Sequence, residues 1–395
     1  MFFNPHRAAY TANPYAALAR LRAETPVFLS LDVQAWIVTR YDICADVLRD
    51  HEGFSASREH ATGELAARMA KDAQKLPIKV PPLAGTDAPE HTRLRRLVNR
   101  VFHPGTVNRV RPAVEQMAAE LLDRVEPGEP FDVMSTFAEP LTAGAVAPVI
   151  GFPQDAREVG LTALNIIETV RTSPGATGAA LAASERAIEQ TEEMLSAVEA
   201  GDEEALLPAL LAAEGRAEID REQVLSLAAH VGTVGLAPTA GLIGNGLHAL
   251  LSNPDQLGDL RNNPELIPGA IHELMRYDSP IHAVPRLATR DIELHGRRIR
   301  KGEAVFVVAG AANRDPGVFP DPDRLDVRRD ARQHLGFGMG PHICLGGPLA
   351  RMIGEVAIHA VIERFPHLRL HPGGDERAPG FERRMFSKLV VRPEG

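Results

Sequence analysis

The sequence predicts a mainly α-helical protein with minor β structure, folded as one unit over residues 1–395. Apolar residues recur at helical spacing through most of 89–277, whereas β-type runs are confined to short stretches near 27–39 and 291–308. No internal repeat and no long low-complexity tract divides the chain.

In order along the chain, 14–50 reads as a helix, short strands around Val27 to Thr39, and a second helix from Tyr41 to Arg49. The 57–88 segment turns irregular in its second half, where Pro77, Pro81 and Pro82 fall between Leu76 and Gly85. Such a long, weakly structured stretch is often a functional loop or lid. Helices follow at 89–101, 106–125, 154–171, 177–200 and 203–213. A long helix then runs from Ile219 to Leu251. Asp220 and Glu222 suit its positive start, and Asn253-Pro254 stops it. After a helix at 264–277, Asp291 to Gly296 and Glu303 to Val308 read as strands around a turn, and a last helix spans Pro348 to Phe365.

With 44% hydrophobic and 24% charged residues the composition is that of an ordinary globular protein. A formal charge of -9 argues against a nucleic-acid partner, because phosphate binding needs clustered Lys and Arg. No uninterrupted apolar run approaches the ~20 residues of a membrane span. Residues 1–14 lack an apolar signal core, so a cytoplasmic location with no membrane partner is expected; a monomer is expected as well.

Cys44 and Cys344 are the only cysteines, which rules out a disulfide framework and an all-cysteine zinc or iron–sulfur site. Cys44 lies in an amphipathic helical stretch and reads as core. Cys344 ends a glycine-dense loop, Phe337-Gly-Met-Gly340-Pro-His342-Ile-Cys344-Leu-Gly346, that leads into the last helix. Glycines let a backbone approach a flat cofactor closely, backbone N–H groups can bond a sulfur, and the following helix start favours thiolate over thiol. A Gly-rich turn around a buried thiol is the plain alternative for a lone Cys-x-Gly. A His-x-Cys zinc site lacks a second thiol within reach in sequence.

The loop matches the cysteine-ligand loop of the cytochrome P450 family at Phe337, Gly340, His342, Cys344 and Gly346. The chain resembles soluble bacterial members of that family in the expected order from about residue 85 to 351, more weakly at both ends. The resemblance implies the cytochrome P450 fold, a large helical domain plus a small β-rich portion. It also implies a haem b (iron protoporphyrin IX) cofactor with Cys344 as the metal ligand, whose electron push favours O–O cleavage.

Further roles follow from the resemblance. Glu273 and Arg276, three apart on one helix face, join Arg324 in a buried ion network that supports the cysteine loop. His91, Arg95, Arg286 and His342 surround the haem propionates, whose charge must be neutralised on burial. Arg93, Arg96, Arg100, His103 and Arg351 are expected to form a basic patch that suits a small acidic ferredoxin, with ferredoxin and ferredoxin reductase as electron donors. Scattered, solvated charges are the competing reading.

One stretch departs from the family. Where relatives carry an acid followed by threonine in the long helix, this chain has Ala237-Pro238-Thr239. Ala237 cannot relay a proton, and Pro238 has neither hydroxyl nor backbone N–H. Pro238 cannot bond the carbonyl of Val234 and its ring crowds that carbonyl, so a kink is expected there that leaves an acceptor available. A water or a substrate hydroxyl on that acceptor could take over proton delivery. Thr239 is a second candidate, although it is turned ~100° around the helix.

Monooxygenation with dioxygen and ferredoxin therefore stands first, beside peroxide-driven turnover and oxidative coupling or cyclisation without oxygen insertion. A haem-binding sensor is the non-enzyme alternative; an intact thiolate loop argues against it. The substrate is expected to be a small, largely apolar molecule of natural-product biosynthesis. By resemblance its pocket is lined by the 57–88 loop, the 171–178 turn, residues 232–239 including Val234 and Gly235, then Ile281, Ala283 and Val284, and Met385 with Phe386. His230, Thr233 and His282 read as satisfied core or surface groups that could add polar contacts.

Overall fold

A computed structural model describes residues 3–5, 7–63, 75–126, 128–152, 157–172, 177–198 and 204–393. They form two compact units: Met1–Ser55, Ala113–Thr142 and Pro238–Gly395 make the first, Ala56–Pro112 and Ala143–Ala237 the second.

The first unit holds all the sheet among the described residues. Its largest sheet orders the strands Val27–Ser30, Ala35–Val38, Ala304–Val307, Val284–Ala288 and Phe54–Ser55. Ala35–Val38 pairs with Ala304–Val307 in parallel, Trp36 opposite Val305, while the other pairs are antiparallel. A small hairpin joins Ile292–Leu294 to Arg297–Ile299 through His295 and Gly296, at φ 50° and 71°. Positive φ at both turn residues matches the right-handed twist of the strands. The C-terminal hairpin, Leu368–Arg377 with Phe386–Pro393, adds the short strand Phe131–Asp132.

Two apolar clusters among the described residues lie in this unit. One gathers Ile43, Val47, Val305, Val307 and Leu335 around Cys44, whose Sγ donates to the carbonyl of Val38 at 3.4 Å. Burial pushes the Cys44 thiol up, so this cysteine is core, as expected. The other is aromatic: Phe3, Tyr10, Phe28, Phe306 and Phe381 meet largely edge to face at centroid distances of 5.3–6.2 Å.

The second unit is helical, with Glu90–Asn99, Arg157–Thr172, Gly178–Ser196, Leu206–Gly215 and Arg221–Thr233. Arg221–Thr233 opens on a capping box: Asp220 Oδ1 accepts from Gln223 N at 2.8 Å and Gln223 Oε1 accepts from Asp220 N at 3.1 Å. That helix and Arg157–Thr172 are joined by a 2.8 Å hydrogen bond between His230 Nδ1 and Glu168 Oε1. Pro104–Asp123 and Glu139–Ile150 cross the division between units.

The expected helices recur with ends shifted by a few residues, the long one as two, and several elements are additional. Glu139–Ile150 is apolar almost throughout and carries Pro140 and Pro148, so it has no amphipathic period to read. Pro254 opens a further helix, Pro254–Asn262, having closed the one before it. In the C-terminal hairpin, Pro372, Gly373 and Gly374 interrupt the alternation that marks a strand. By length and composition Arg221–Leu251 is the one stretch among the described residues that could cross a membrane. It is mostly buried in the protein and is broken at Val234 and Gly235.

Candidate active site

The cysteine loop is built almost wholly from backbone. A 3-10 turn at Leu335–Phe337 and another at Gly340–His342 fold it back on itself. Gly338 N donates to Leu335 O at 2.9 Å, Ile343 N to Gly340 O at 3.1 Å, and Cys344 N to Phe337 O at 2.8 Å. Gly340 sits at φ 71°, and a Cβ there would lie 2.5 Å from the carbonyl oxygen of Leu48. Only glycine tolerates both.

The helix Gly347–Arg364 begins three residues beyond Cys344, and its N-cap, Gly346, offers no side-chain acceptor. Its first N–H groups therefore favour negative charge just before it, which is where Cys344 sits. Cys344 is exposed while Cys44 is sealed. A Cβ at Gly346 would meet nothing within 4 Å, and Ile343 is 51% exposed. An accessible thiol, open backbone beside it and an apolar neighbour fit a flat, largely apolar group held through sulfur.

Beneath the loop, Arg276 grips Glu273 through two bonds, Nε to Oε2 at 2.6 Å and Nη2 to Oε1 at 2.8 Å, both side chains fully buried. The expected third member is corrected. Arg329, not Arg324, supplies the second guanidinium, with Nε 3.2 Å from Glu273 Oε1. Arg324 is exposed, and only its backbone carbonyl accepts, from Arg276 at 3.3 Å and Arg329 at 3.4 Å. Asp326 N adds a bond to Glu273 at 2.9 Å, so the buried carboxylate is fully satisfied.

Of the expected haem-binding residues, Arg286, Phe337, Gly340, His342, Cys344 and Gly346 lie in the first unit and His91 and Arg95 in the second. Arg286 is buried on the strand Val284–Ala288, and His91 is buried in the first turn of Glu90–Asn99. The expected basic patch is divided: Arg93, Arg96, Arg100 and His103 belong to the second unit and Arg351 to the first. Arg93 pairs with Glu90, and Arg351 lies over the Phe337 ring at 5.8 Å.

The long helix breaks as expected. Arg221–Thr233 ends, Val234 and Gly235 form a turn, and Leu236–Leu251 begins. Pro238 is thus the third residue of a new helix, where a missing N–H costs little. Val234, Gly235 and Ala237 are exposed, whereas Thr239 is buried and turned away.

Two of the expected pocket residues are buried in close packing. Ala283 is buried in the aromatic cluster. Phe386 is 3% exposed, with the Arg377 guanidinium 3.9 Å above its ring and His248 packed at 4.8 Å. Both are core. Met385 packs against Gly241, and Ile281 bridges to Arg383. Val284 is half-buried. Residues 64–74 of the 57–88 loop and 173–176 of the 171–178 turn lie outside the described residues. Thr233 donates back to Ala229 O, and His282 shares a 3.1 Å bond with Tyr10. Burial, aided by Arg384, pushes the His282 pKa down to about 3. Both are core groups; Thr233 is satisfied, whereas the Nδ1 of His282 is buried without a hydrogen-bond partner.

Sequence reasoning missed a buried knot on Asp278. Tyr15 donates to its Oδ1 at 2.6 Å, Arg384 at 2.7 Å, and Arg377 to Oδ2 at 2.6 Å. Burial alone would raise this carboxyl; Arg377 and Arg384 overcome it and bring the pKa down to about 2. The signal was faint: an aspartate following a helix, with its arginine partners a hundred residues away.

A family model described as "Cytochrome P450" matches residues 257–393. The polyketide biosynthesis cytochrome P450 PksS of Bacillus subtilis (strain 168) is 30% identical over 95% of this chain and 94% of its own length. Its solved structure superposes with a TM-score of 0.88 at 30% identity over the whole of both chains. The 6-deoxyerythronolide B hydroxylase of Saccharopolyspora erythraea is 36% identical over 92% of this chain and 90% of its own length. The cytochrome P450 enzyme CxnD, described as acting in C-S bond formation in chuangxinmycin biosynthesis, matches with a TM-score of 0.86 and 30% identity over 97% and 96% of the two chains. Fold, cysteine loop and full-length similarity agree: the chain belongs to the cytochrome P450 family, oxidoreductases and monooxygenases that bind haem b through a cysteine thiolate.

Proposed function

We propose that this chain is a haem-thiolate monooxygenase of natural-product biosynthesis, with Cys344 as the iron ligand and an unusual route for protons. The observation that carries the ligand assignment is the contrast between its two thiols, Cys344 exposed on a backbone-built loop and Cys44 sealed in the core. When bound, the haem supplies the oxidising chemistry, its iron activated by the electron push of sulfur. By resemblance to the family, Arg286 and His342 of the first unit would help neutralise its propionates, and Phe337 and Gly346 would border it.

The residues of the broken helix decide how protons arrive. Ala237 and Pro238 hold no exchangeable proton, and Thr239 is buried. Residue 238 cannot donate to the Val234 carbonyl, which leaves that oxygen to orient a water or a hydroxyl of the substrate. Exposed Val234, Gly235 and Ala237 suit an apolar molecule with few polar groups. The names of the relatives favour a polyketide-like or similar secondary metabolite. Electrons would come from a ferredoxin and its reductase. Coupling or cyclisation without oxygen insertion is the second reading, favoured by the missing acid and alcohol and by the C-S bond formation attributed to CxnD.

Two measurements test the proposal. Reduced protein exposed to carbon monoxide should give a thiolate-type Soret band that Cys344→Ser abolishes and Cys44→Ser retains. Turnover with ferredoxin, reductase and dioxygen should exceed turnover with hydrogen peroxide alone, with label from dioxygen in the product. An unlabelled, coupled product would favour the second reading.

A further inference from the structure

The residues just before the cysteine loop are held from the side by two buried groups. Asn313 Oδ1 accepts from Leu335 N at 2.7 Å, and His334 Nδ1 accepts from Gly336 N at 3.0 Å. The backbone carbonyl of the same Asn313 accepts from Arg276 Nη1 at 2.9 Å, so the ion network is linked to the loop through one residue. Gly336 has no room to move: a Cβ there would lie 2.9 Å from Ser279 Oγ and 3.0 Å from both His334 Nδ1 and the Met275 methyl. The Met275 and Ser279 contacts come from the Ile267–Tyr277 helix and the turn after it.

The hydrogen bonds set the tautomer of His334. Its Nδ1 accepts, so its proton resides on Nε2, which faces Nδ1 of His272 at 3.3 Å. His272 must then carry its own proton on Nε2. Burial, with His272, Arg351 and Arg276 nearby, pulls the His334 pKa down to about 3, so the accepting nitrogen persists across the working pH range. His334 is 5% exposed and its ring packs on Phe337 at 5.4 Å between centroids. Phe337 is the residue whose carbonyl receives the Cys344 N–H.

We infer that His334 is a positioning residue for the haem ligand: through Gly336 N it fixes the Leu335–Phe337 turn, and through the Phe337 carbonyl it fixes Cys344. The inference rests on Cys344 being the iron ligand. It goes beyond that reading by assigning the loop's geometry to a neutral histidine of one tautomer, locked by a second histidine.

The test uses the haem-loaded full chain and three substitutions. His334→Asn keeps an acceptor near Nδ1 for Gly336 N. His334→Gln keeps a polar atom near Nε2 but no acceptor for Gly336, and His334→Leu keeps neither. The readouts are the thiolate-type band of the reduced carbon monoxide complex and the rate at which haem passes to excess apomyoglobin. His334→Asn should match the wild type. His334→Gln and His334→Leu should convert part of the thiolate band to a non-thiolate one and release haem on the order of 10-fold faster, as expected when a group behind a metal ligand is lost. If His334→Leu does not fold, the contrast between His334→Asn and His334→Gln decides. An intact band and unchanged haem release in His334→Gln, or equal damage in His334→Asn, overturns the inference alone. A wild-type protein without a thiolate band overturns the ligand assignment and this inference together.

Discussion

Arg329 lays its Nε 3.2 Å from Oε1 of Glu273, a carboxylate with no exposed surface that Arg276 already grips through two bonds. Arg324, five residues earlier, is exposed and meets this network only through its carbonyl. Removing Arg329 leaves a buried acceptor short of one charged donor, a loss of about 1–3 kcal/mol. Removing Arg324 leaves its carbonyl in place and should change stability by less than about 0.5 kcal/mol. Denaturant unfolding of Arg329→Ala and Arg324→Ala checks this, and equal effects would refute the asymmetry.

Gly340 carries a different constraint, purely of backbone. With φ at 71° and the Leu48 carbonyl 2.5 Å from any Cβ, alanine there must strain itself and push the end of the Tyr41–Arg49 helix. The left-handed conformation alone costs about 1–2 kcal/mol for a residue with a Cβ. The Gly340→Ala protein should fold at reduced stability, since Met339 beside it packs on the Cys44 cluster, and should carry well below stoichiometric haem after purification. Full haem content by pyridine haemochrome assay would contradict this.

What the sequence made legible is local and chemical. The cysteine loop, the Glu273–Arg276 spacing and the break before Pro238 are each written within a few residues, and each stands in the structure where spacing put it. What stayed illegible depends on which way a side chain turns or on partners far along the chain. Arg324 and Arg329 are equally plausible on paper, because the irregular segment around them has no period from which to infer facing. Phe386 is expected in the pocket by resemblance to the family, which carries no information on what packs over its ring here. Its strand partner Arg377 covers its ring instead, a contact set by strand register. Ala283 is sealed in a cluster with Tyr10 and Phe381, residues that lie toward the two ends of the chain.

Two buried histidines make stability depend on mild acid. His282 and His334 both have folded-state pKa values pushed down to about 3 by burial, against an ordinary value of 6.5. A depressed folded value means the unfolded chain binds these protons first. The stabilisation is complete above pH ~6.5 and declines steadily as pH falls toward ~3. Asp278, held at about 2, adds a further decline below pH ~4. Chemical denaturation midpoints should therefore fall between pH 7 and pH 4.5, and His282→Phe, which keeps an aromatic ring beside Tyr10, should flatten part of that slope. A wild-type midpoint constant over this range would sink the argument.

Pro238 offers the sharpest chemical test. Alanine at this position restores an N–H that can bond the Val234 carbonyl, closing the break and withdrawing the acceptor that water or substrate would use. It introduces no group that can carry a proton. Threonine restores the same N–H but adds a hydroxyl that can. If proton delivery runs through a group bound at Val234, Pro238→Ala should lower product formed per electron pair consumed, with kcat falling up to about 100-fold as for loss of a proton donor. Pro238→Thr should lose less, because its hydroxyl partly replaces what the closed helix removes. Both substitutions favour helix, so global unfolding is not the expected cause of either change. The ratio of product to reducing equivalents for the three proteins is the measurement, and identical coupling in all of them would leave the Val234 carbonyl without a role.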